Sequence, residues 1–211
     1  MTKQERAVRT RHALLRSAAA AFDQRGYAAA TLSLISNGAG VSPGALHFHF
    51  ENKAAIAAAV ELEAADTLCM VATHVYMRQG SALQALADTS HALARAFTTD
   101  VVVRAAFQLG REAAYVSSLD LHKDWERYVH RLLARAAEQK TLQPGLSHRQ
   151  MAAMVVAATV GFEVLGQGER EWVSAHSLTS FWQLILPSLA TPEALCELDP
   201  TGGRLGVMSR S

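Results

Sequence analysis

Apolar residues recur along this chain at spacings of three and four. Leu14, Ala18, Ala21 and Phe22 fall at i, i+4, i+7 and i+8, and "RGY" at 25–27 supplies a glycine stop, which predicts a first helix from about Glu5 to Arg25. Thr31 is placed to cap a short helix "LSLISNG", in which Leu32 and Ile35 are three apart, before "GAGV" turns the chain. Ser42 is a good N-cap, and Pro43 takes the first helical position, where its missing N–H costs nothing, so a second short helix starts there. "ENK" at 51–53 ends it and opens a long alanine-rich helix from about Asn52 to Tyr76. The same period predicts helices over about 81–98, 101–115, 121–140, 147–166 and 173–189, with no convincing strand. The pattern is therefore all-α: an N-terminal three-helix unit over 1–52, a larger helical body over 53–190, and a glycine-, proline- and serine-rich stretch over 191–211 that reads as a flexible tail.

Composition narrows the class. Half of the 211 residues are apolar and 18% are charged, as in a chain that builds a packed core. The longest apolar run, "MAAMVVAATVGF" at 151–162, is shorter than the roughly 20 residues a membrane span needs, so no membrane partner is expected. The first residues run into helix without a signal-type cleavage pattern, and the two cysteines, Cys69 and Cys196, lie far apart and form no CxxC pair. A reducing, cytoplasmic setting without disulfides or thiolate zinc is the expectation. The net charge of +1 hides an asymmetry: residues 1–60 hold seven bases against three acids, the rest 13 against 16. A basic head on a mildly acidic body suits contact with a polyanion.

Two short helices joined by a glycine-containing turn form the helix-turn-helix pattern, whose second helix enters the DNA major groove. Around that second helix, in "SPGALHFHF" at 42–50, Leu46 and Phe50 point inward with Val41 and Ala45. Pro43, Gly44 and His47 share the opposite face, behind the Ser42 cap, with no acid and little bulk to hold a phosphate backbone away. His49 lies at the edge of that face, and Lys53 opens the next helix, within reach of a phosphate. The two histidines are no metal pair, because side chains two apart on a helix diverge by about 200°. Plain packing is the competing reading, and it accounts for Phe48 and Phe50 better than for His47 and His49.

Residues 10–60, "TRHALLRSAAAAFDQRGYAAATLSLISNGAGVSPGALHFHFENKAAIAAAV", also resemble the DNA-binding domain of TetR-family transcriptional regulators. The "GALHFHF" segment is most similar to that of γ-butyrolactone receptors and their pseudo-receptor relatives, bacterial repressors of secondary-metabolite and antibiotic genes. "DWERYVHRLL" at 124–133 resembles their tryptophan-bearing pocket helix. The resemblance implies that Pro43, Gly44 and His47 face bases or backbone, that Thr31, His47 and Lys53 bind phosphates, and that Arg11 lies near the duplex. Two positions depart from the family, which usually has lysine where this chain has Pro43 and tyrosine where it has His47.

The body resembles the family in helical layout only. Two late helices are candidates for a homodimer interface: 147–166, with Met151, Val155, Ala158 and Phe162 on one side and small residues nearby, and "SLTSFWQLILPSL" at 177–189. A palindromic double-stranded operator needs two matching heads. Trp125 alone would read as an ordinary core residue; with the resemblance it becomes the leading contact for a small-molecule effector. Phe107, Tyr115, Val129, Thr159 and Phe162 are expected to complete the cavity, with the Thr159 hydroxyl orienting a polar head. No nucleophile, metal-protease or phosphate-loop motif occurs, and "GQGE" at 166–169 follows no strand. Asp88-x-x-His91 is one carboxylate–imidazole pair where a di-iron bundle needs two plus two further carboxylates. The expectation is a ligand-responsive repressor, not an enzyme, without cofactor or metal; a helical adaptor that does not bind DNA, or a helical metal-dependent enzyme, are the alternatives.

Overall fold

The computed structural model describes residues 2–117, 119–145 and 147–203. Among these residues ten α-helices follow one another: α1 (Lys3–Ala29), α2 (Leu32–Gly38), α3 (Pro43–His49), α4 (Lys53–Arg78), α5 (Ala82–Thr99), α6 (Val101–Leu109), α7 (Leu121–Glu138), α8 (His148–Gly166), α9 (Ala175–Leu189) and α10 (Pro192–Leu195), with a 3-10 turn over Arg170–Val173. Among the described residues the only other regular pairing is an isolated antiparallel bridge between Leu142 and Ala190. The chain divides into two compact units: Met1–Thr67 with Thr99–Leu121, and Leu68–Thr98 with His122–Ser211.

The first unit is larger than the 1–52 segment expected, because α6 and the residues after it pack onto α1. Leu14, Ala18 and Phe22 are fully buried with Ile35, Leu46, Ile56, Val60, Val103 and Ala105. The Asp100 carboxylate caps α6 by accepting from the Val102 N–H at 2.9 Å, and Arg104 Nε pairs with Asp23 Oδ2 of α1 at 3.1 Å. The glycine expected to stop the first helix is at a kink: Gly26 has φ +74°, and a single further turn, 27–29, follows. Helix α6 ends at Leu109 instead of continuing to 115, and Tyr115 stands in the loop beyond it. The reason is tertiary, since Glu112, Tyr115 and Ser117 are all taken up by α1 and α4, as described below.

The second unit centres on Leu83, Leu86, Val129, Leu132, Leu133, Met151, Val155, Trp182 and Leu186. Helix α5 is buried almost all round, including the polar Gln84, Asp88, Thr89, Ser90 and His91. Thr89 and Ser90 donate back to the Ala85 and Leu86 carbonyls of their own helix, whereas Gln84, Asp88 and His91 find partners in the C-terminal stretch expected to be a flexible tail. Beyond α10, the Gln84 amide accepts from the Asp199 N–H at 2.8 Å and donates to the Asp199 carbonyl at 3.0 Å. His91 Nε2 lies 2.9 Å from the Pro200 carbonyl, which can only accept, so that nitrogen carries the proton. Asp88 Oδ1 accepts from the Gly203 N–H at 2.9 Å, and its carboxylate also takes the amides of Gln79 and Gln84. Gly202 has φ +70°, and a Cβ there would meet the His91 ring at 2.6 Å, so only glycine allows the strap this close. Residues 191–203 are thus a docked strap, because buried polar groups on α5 require partners; the remainder of the predicted tail, 204–211, lies outside the described residues. Asp88 and His91 are committed to this strap.

Candidate nucleic-acid interface

Helices α2 and α3 are held by short-range chemistry that the sequence carries. The Thr31 hydroxyl accepts from the Leu34 N–H at 3.1 Å and caps α2; the Ser42 hydroxyl accepts from the Ala45 N–H at 3.2 Å and caps α3. Each cap uses a lone pair and leaves the hydroxyl's own proton for another acceptor. Gly40, φ +67°, makes the turn between them. Gly38 lets α2 approach α1: a Cβ there would lie 2.4 Å from Ser17 Oγ, which donates to the Ile35 carbonyl at 2.8 Å.

Leu46 and Phe50 anchor α3 to the core at 0% and 5% exposure, with Val41 and Ala45 half-buried beside them. Ser42, Pro43, Gly44 and His47 are exposed, and His49 is half-buried at the margin. Arg11 is exposed on α1 with its guanidinium 5.0 Å from the Phe50 ring centroid, a cation–π contact that ties it to the C-terminal end of α3. Thr31, Arg11 and the α3 face therefore belong to one unit and remain open to solvent.

Two residues differ from the sequence reading. Phe48, grouped with the packed residues, is 80% exposed, and its ring stands edge-on to His49 with centroids 5.2 Å apart. Wheel arithmetic contained this answer: a residue two before an inward Phe50 points about 200° away from it. Lys53, expected to reach a phosphate, instead places Nζ 2.8, 3.3 and 3.0 Å from the carbonyls of Tyr27, Ala28 and Ala30, and 4.4 Å from the Tyr27 ring centroid. An ammonium has three N–H donors, and all three are directed to the end of α1. In this arrangement Lys53 is a C-terminal cap, stabilised also by the helix dipole.

The expected effector residues fall in both units. In the second, Trp125 Nε1 donates to Thr159 Oγ1 at 2.8 Å, and Thr159 donates in turn to the Val155 carbonyl at 2.8 Å, so the hydroxyl expected to orient a ligand is already engaged by the indole. The Trp125 ring stacks on Tyr128 at 5.8 Å, and burial raises the Tyr128 pKa, keeping its hydroxyl protonated near Thr89 Oγ1 at 3.1 Å. Val129 is wholly buried in the main core. Phe162 sits with Phe181 and Trp172 at centroid distances of 5.6 and 6.5 Å. Phe107 and Tyr115 belong to the first unit, where Tyr115 donates to Glu61 Oε2 at 2.8 Å. The six do not gather within one unit: Phe107 and Tyr115 fall in the first, where α6 packs on α1, and the other four in the second. An open cavity of about 440 Å³ between α7 and α8 is lined by Glu126, His130, Arg149, Ala152, Val156 and Val160 among others, without Trp125.

The dimer-candidate helices divide differently from expectation. Met151 and Val155 are buried in their own core. The outward apolar residues are Met154, Val164 and Leu165 on α8 and Leu184 on α9, exposed at 58, 46, 48 and 77%, with Gly161 facing open space.

Comparison with known proteins decides the family. Residues 14–60, which span the caps, the turn and the reading helix, match the bacterial regulatory proteins of the tetR family. The A-factor receptor protein of Streptomyces griseus is 30% identical over 203 residues, covering 96% of this chain and 71% of its own length. The chain belongs to the TetR family. As a TetR-family regulator it is not an enzyme. Crystal structures place it near γ-butyrolactone receptors: an ArpA-like γ-butyrolactone receptor superposes with a TM-score of 0.79 at 27% identity, over 91% of this chain and 94% of that one. CprB from Streptomyces coelicolor, solved in complex with its biological operator sequence, superposes with a TM-score of 0.76 at 27% identity, over 91% and 94%. This TetR-family chain has no helix, among its described residues, long and apolar enough to cross a membrane.

Proposed function

We propose that this protein is a transcriptional repressor that binds a palindromic operator as a homodimer and leaves it when a small signalling molecule enters its second unit. The observation that carries the reading is the open face of α3: Pro43, Gly44, His47 and Phe48 are exposed, α3 itself carries no acid, and Arg11 and Thr31 of the same unit are exposed as well. CprB, a relative of similar fold, is described with its operator, which supports the same use of this face. The exposed apolar residues of α8 and α9 support two-fold pairing, which would present two heads to two half-sites. Trp125, held by Thr159, is the residue around which the effector is expected, and kinship with γ-butyrolactone receptors favours a butyrolactone-like, furan-type or antibiotic molecule and control of secondary-metabolite genes.

The test is selection of bound fragments from genomic DNA, followed by titration of the selected fragment against salt. The logarithm of affinity should fall with the logarithm of salt concentration at a slope of about −0.9 per phosphate neutralised. A flat response, or equal binding to every sequence, overturns the reading. Release by a synthetic γ-butyrolactone should be lost in Trp125→Ala while operator binding persists. Release unchanged in that variant moves the effector site elsewhere.

A further inference from the structure

Helix α4 holds a buried carboxylate that neither the α3 face nor Trp125 uses. Glu61 lies on the face that buries Ala57, Val60 and Ala64 and is itself 1% exposed. Each of its oxygens meets a hydroxyl from the loop after α6. Oε2 accepts from the Tyr115 hydroxyl at 2.8 Å, and Oε1 lies 2.5 Å from Ser117 Oγ, whose single proton is shared between Oε1 and the Leu119 carbonyl at 2.6 Å while the Leu119 N–H donates to that Oγ at 3.1 Å. Burial first, then the hydrogen bond to Glu61, push the Tyr115 phenol above its ordinary pKa, so it stays a donor.

The same loop grips the end of α1. The Tyr115 ring packs on the Tyr27 ring with centroids 4.9 Å apart, and the Tyr27 N–H donates to Glu112 Oε1 at 3.0 Å. Glu112 Oε1 also occupies the space a Cβ on Gly26 would need, so the kink and the loop fit each other. Lys53 closes the arrangement from α4 through the Tyr27, Ala28 and Ala30 carbonyls. Ala30 is followed by Thr31, the cap of α2, so whatever fixes residues 26–30 fixes where the helix-turn-helix begins.

We infer that Tyr115 and Ser117, closing on the buried Glu61 carboxylate, form a latch that positions the C-terminal end of α1, and with it α2 and α3, for operator reading. The three are positioning residues: none lies on the α3 face. The inference rests on the operator-binding reading above. A latched head enters the complex with its helices already set, whereas an unlatched one must lose that freedom on binding.

The experiment uses the full chain as wild type, Tyr115→Phe, which keeps the ring and removes the hydroxyl, and Glu61→Gln, which keeps the shape and removes the charge. Operator affinity is measured on the selected fragment at several salt concentrations, and amide exchange is followed by residue in the free protein. Both variants are expected to bind the operator about tenfold more weakly, the size of losing one hydrogen bond to a buried charged group. The salt slope should stay that of the wild type, because no phosphate contact is removed, and exchange at Tyr27 and Ala30 should quicken by a similar factor while the second unit's amides do not change. Affinity within twofold of wild type, unaltered exchange at Tyr27 and Ala30, or exchange raised equally throughout both units with a lower Tm each overturns the latch. Should wild type itself select no DNA, the operator reading fails, and the inference built on it falls with it; wild-type binding with unaffected variants removes the latch alone.

Discussion

At the scale of single residues, the outward ring of Phe48 and the inward-turned ammonium of Lys53 define two predictions. An apolar ring on a groove-reading helix can meet a thymine methyl, so Phe48→Ala should weaken binding to the best operator and relax preference at one position, by up to about the 1–3 kcal/mol that one mismatched base pair costs. Competition among operators changed at single base pairs will measure it; a loss equal on every sequence would assign Phe48 to packing. Lys53→Met should act through stability. Removing the ammonium leaves the carbonyls of Tyr27, Ala28 and Ala30 without their cap, and about 1–2 kcal/mol should disappear from the unfolding free energy in urea. The salt slope of operator binding should be unchanged, whereas a phosphate-binding lysine would lower it by about one unit. The α3 face was legible from residue spacing, since Leu46 and Phe50 fix one side and everything two residues away lies opposite. The fate of Lys53 was not, because its acceptors become neighbours only when α1 and α4 pack.

At the scale of elements, α5 and its strap carry a pH prediction. Burial lowers the His91 pKa below 6.5, against a smaller opposing pull from the Pro200 hydrogen bond; Arg95 adds to the lowering, while Asp88 and Asp199 oppose it. The unfolded chain therefore takes up a proton that the folded chain resists. The stability contributed by neutral His91 is complete above about pH 6.5 and is lost as pH falls from there through the folded pKa. Between pH 7.5 and 5 the Tm should fall in wild type and fall less in His91→Gln, whose amide can still donate to the Pro200 carbonyl. Equal slopes in both would assign the acid sensitivity to other groups. Composition misread this strap, since glycine, proline and serine describe a flexible segment equally well. What orders 199–203 is a row of buried polar side chains on α5, more than a hundred residues earlier.

At the scale of the whole molecule, recognition of a palindrome requires two copies. Leu184, 77% exposed on α9, lies in the apolar surface proposed to pair. Leu184→Arg should place an unpaired charge in that contact and shift the protein to monomer by sedimentation. Operator affinity should then fall by at least about 100-fold, the range by which linking two binding modules exceeds either alone. A dimer that persists in this variant would move the interface away from α9.

The sequence by itself determined what depends on neighbours along the chain: the helical period, the Thr31 and Ser42 caps, the Gly40 turn, the inner and outer faces of α3, and a resemblance carried by motifs at fixed spacing. Each is local because a cap or a helix face involves residues within about one turn. Only the tertiary structure decided the partners of Lys53, Tyr115 and Asp88. Those bonds join residues 26, 54 and 115 positions apart. A buried charge or hydroxyl takes whichever partner packing brings within about 3 Å, and no local pattern in the chain encodes that distance.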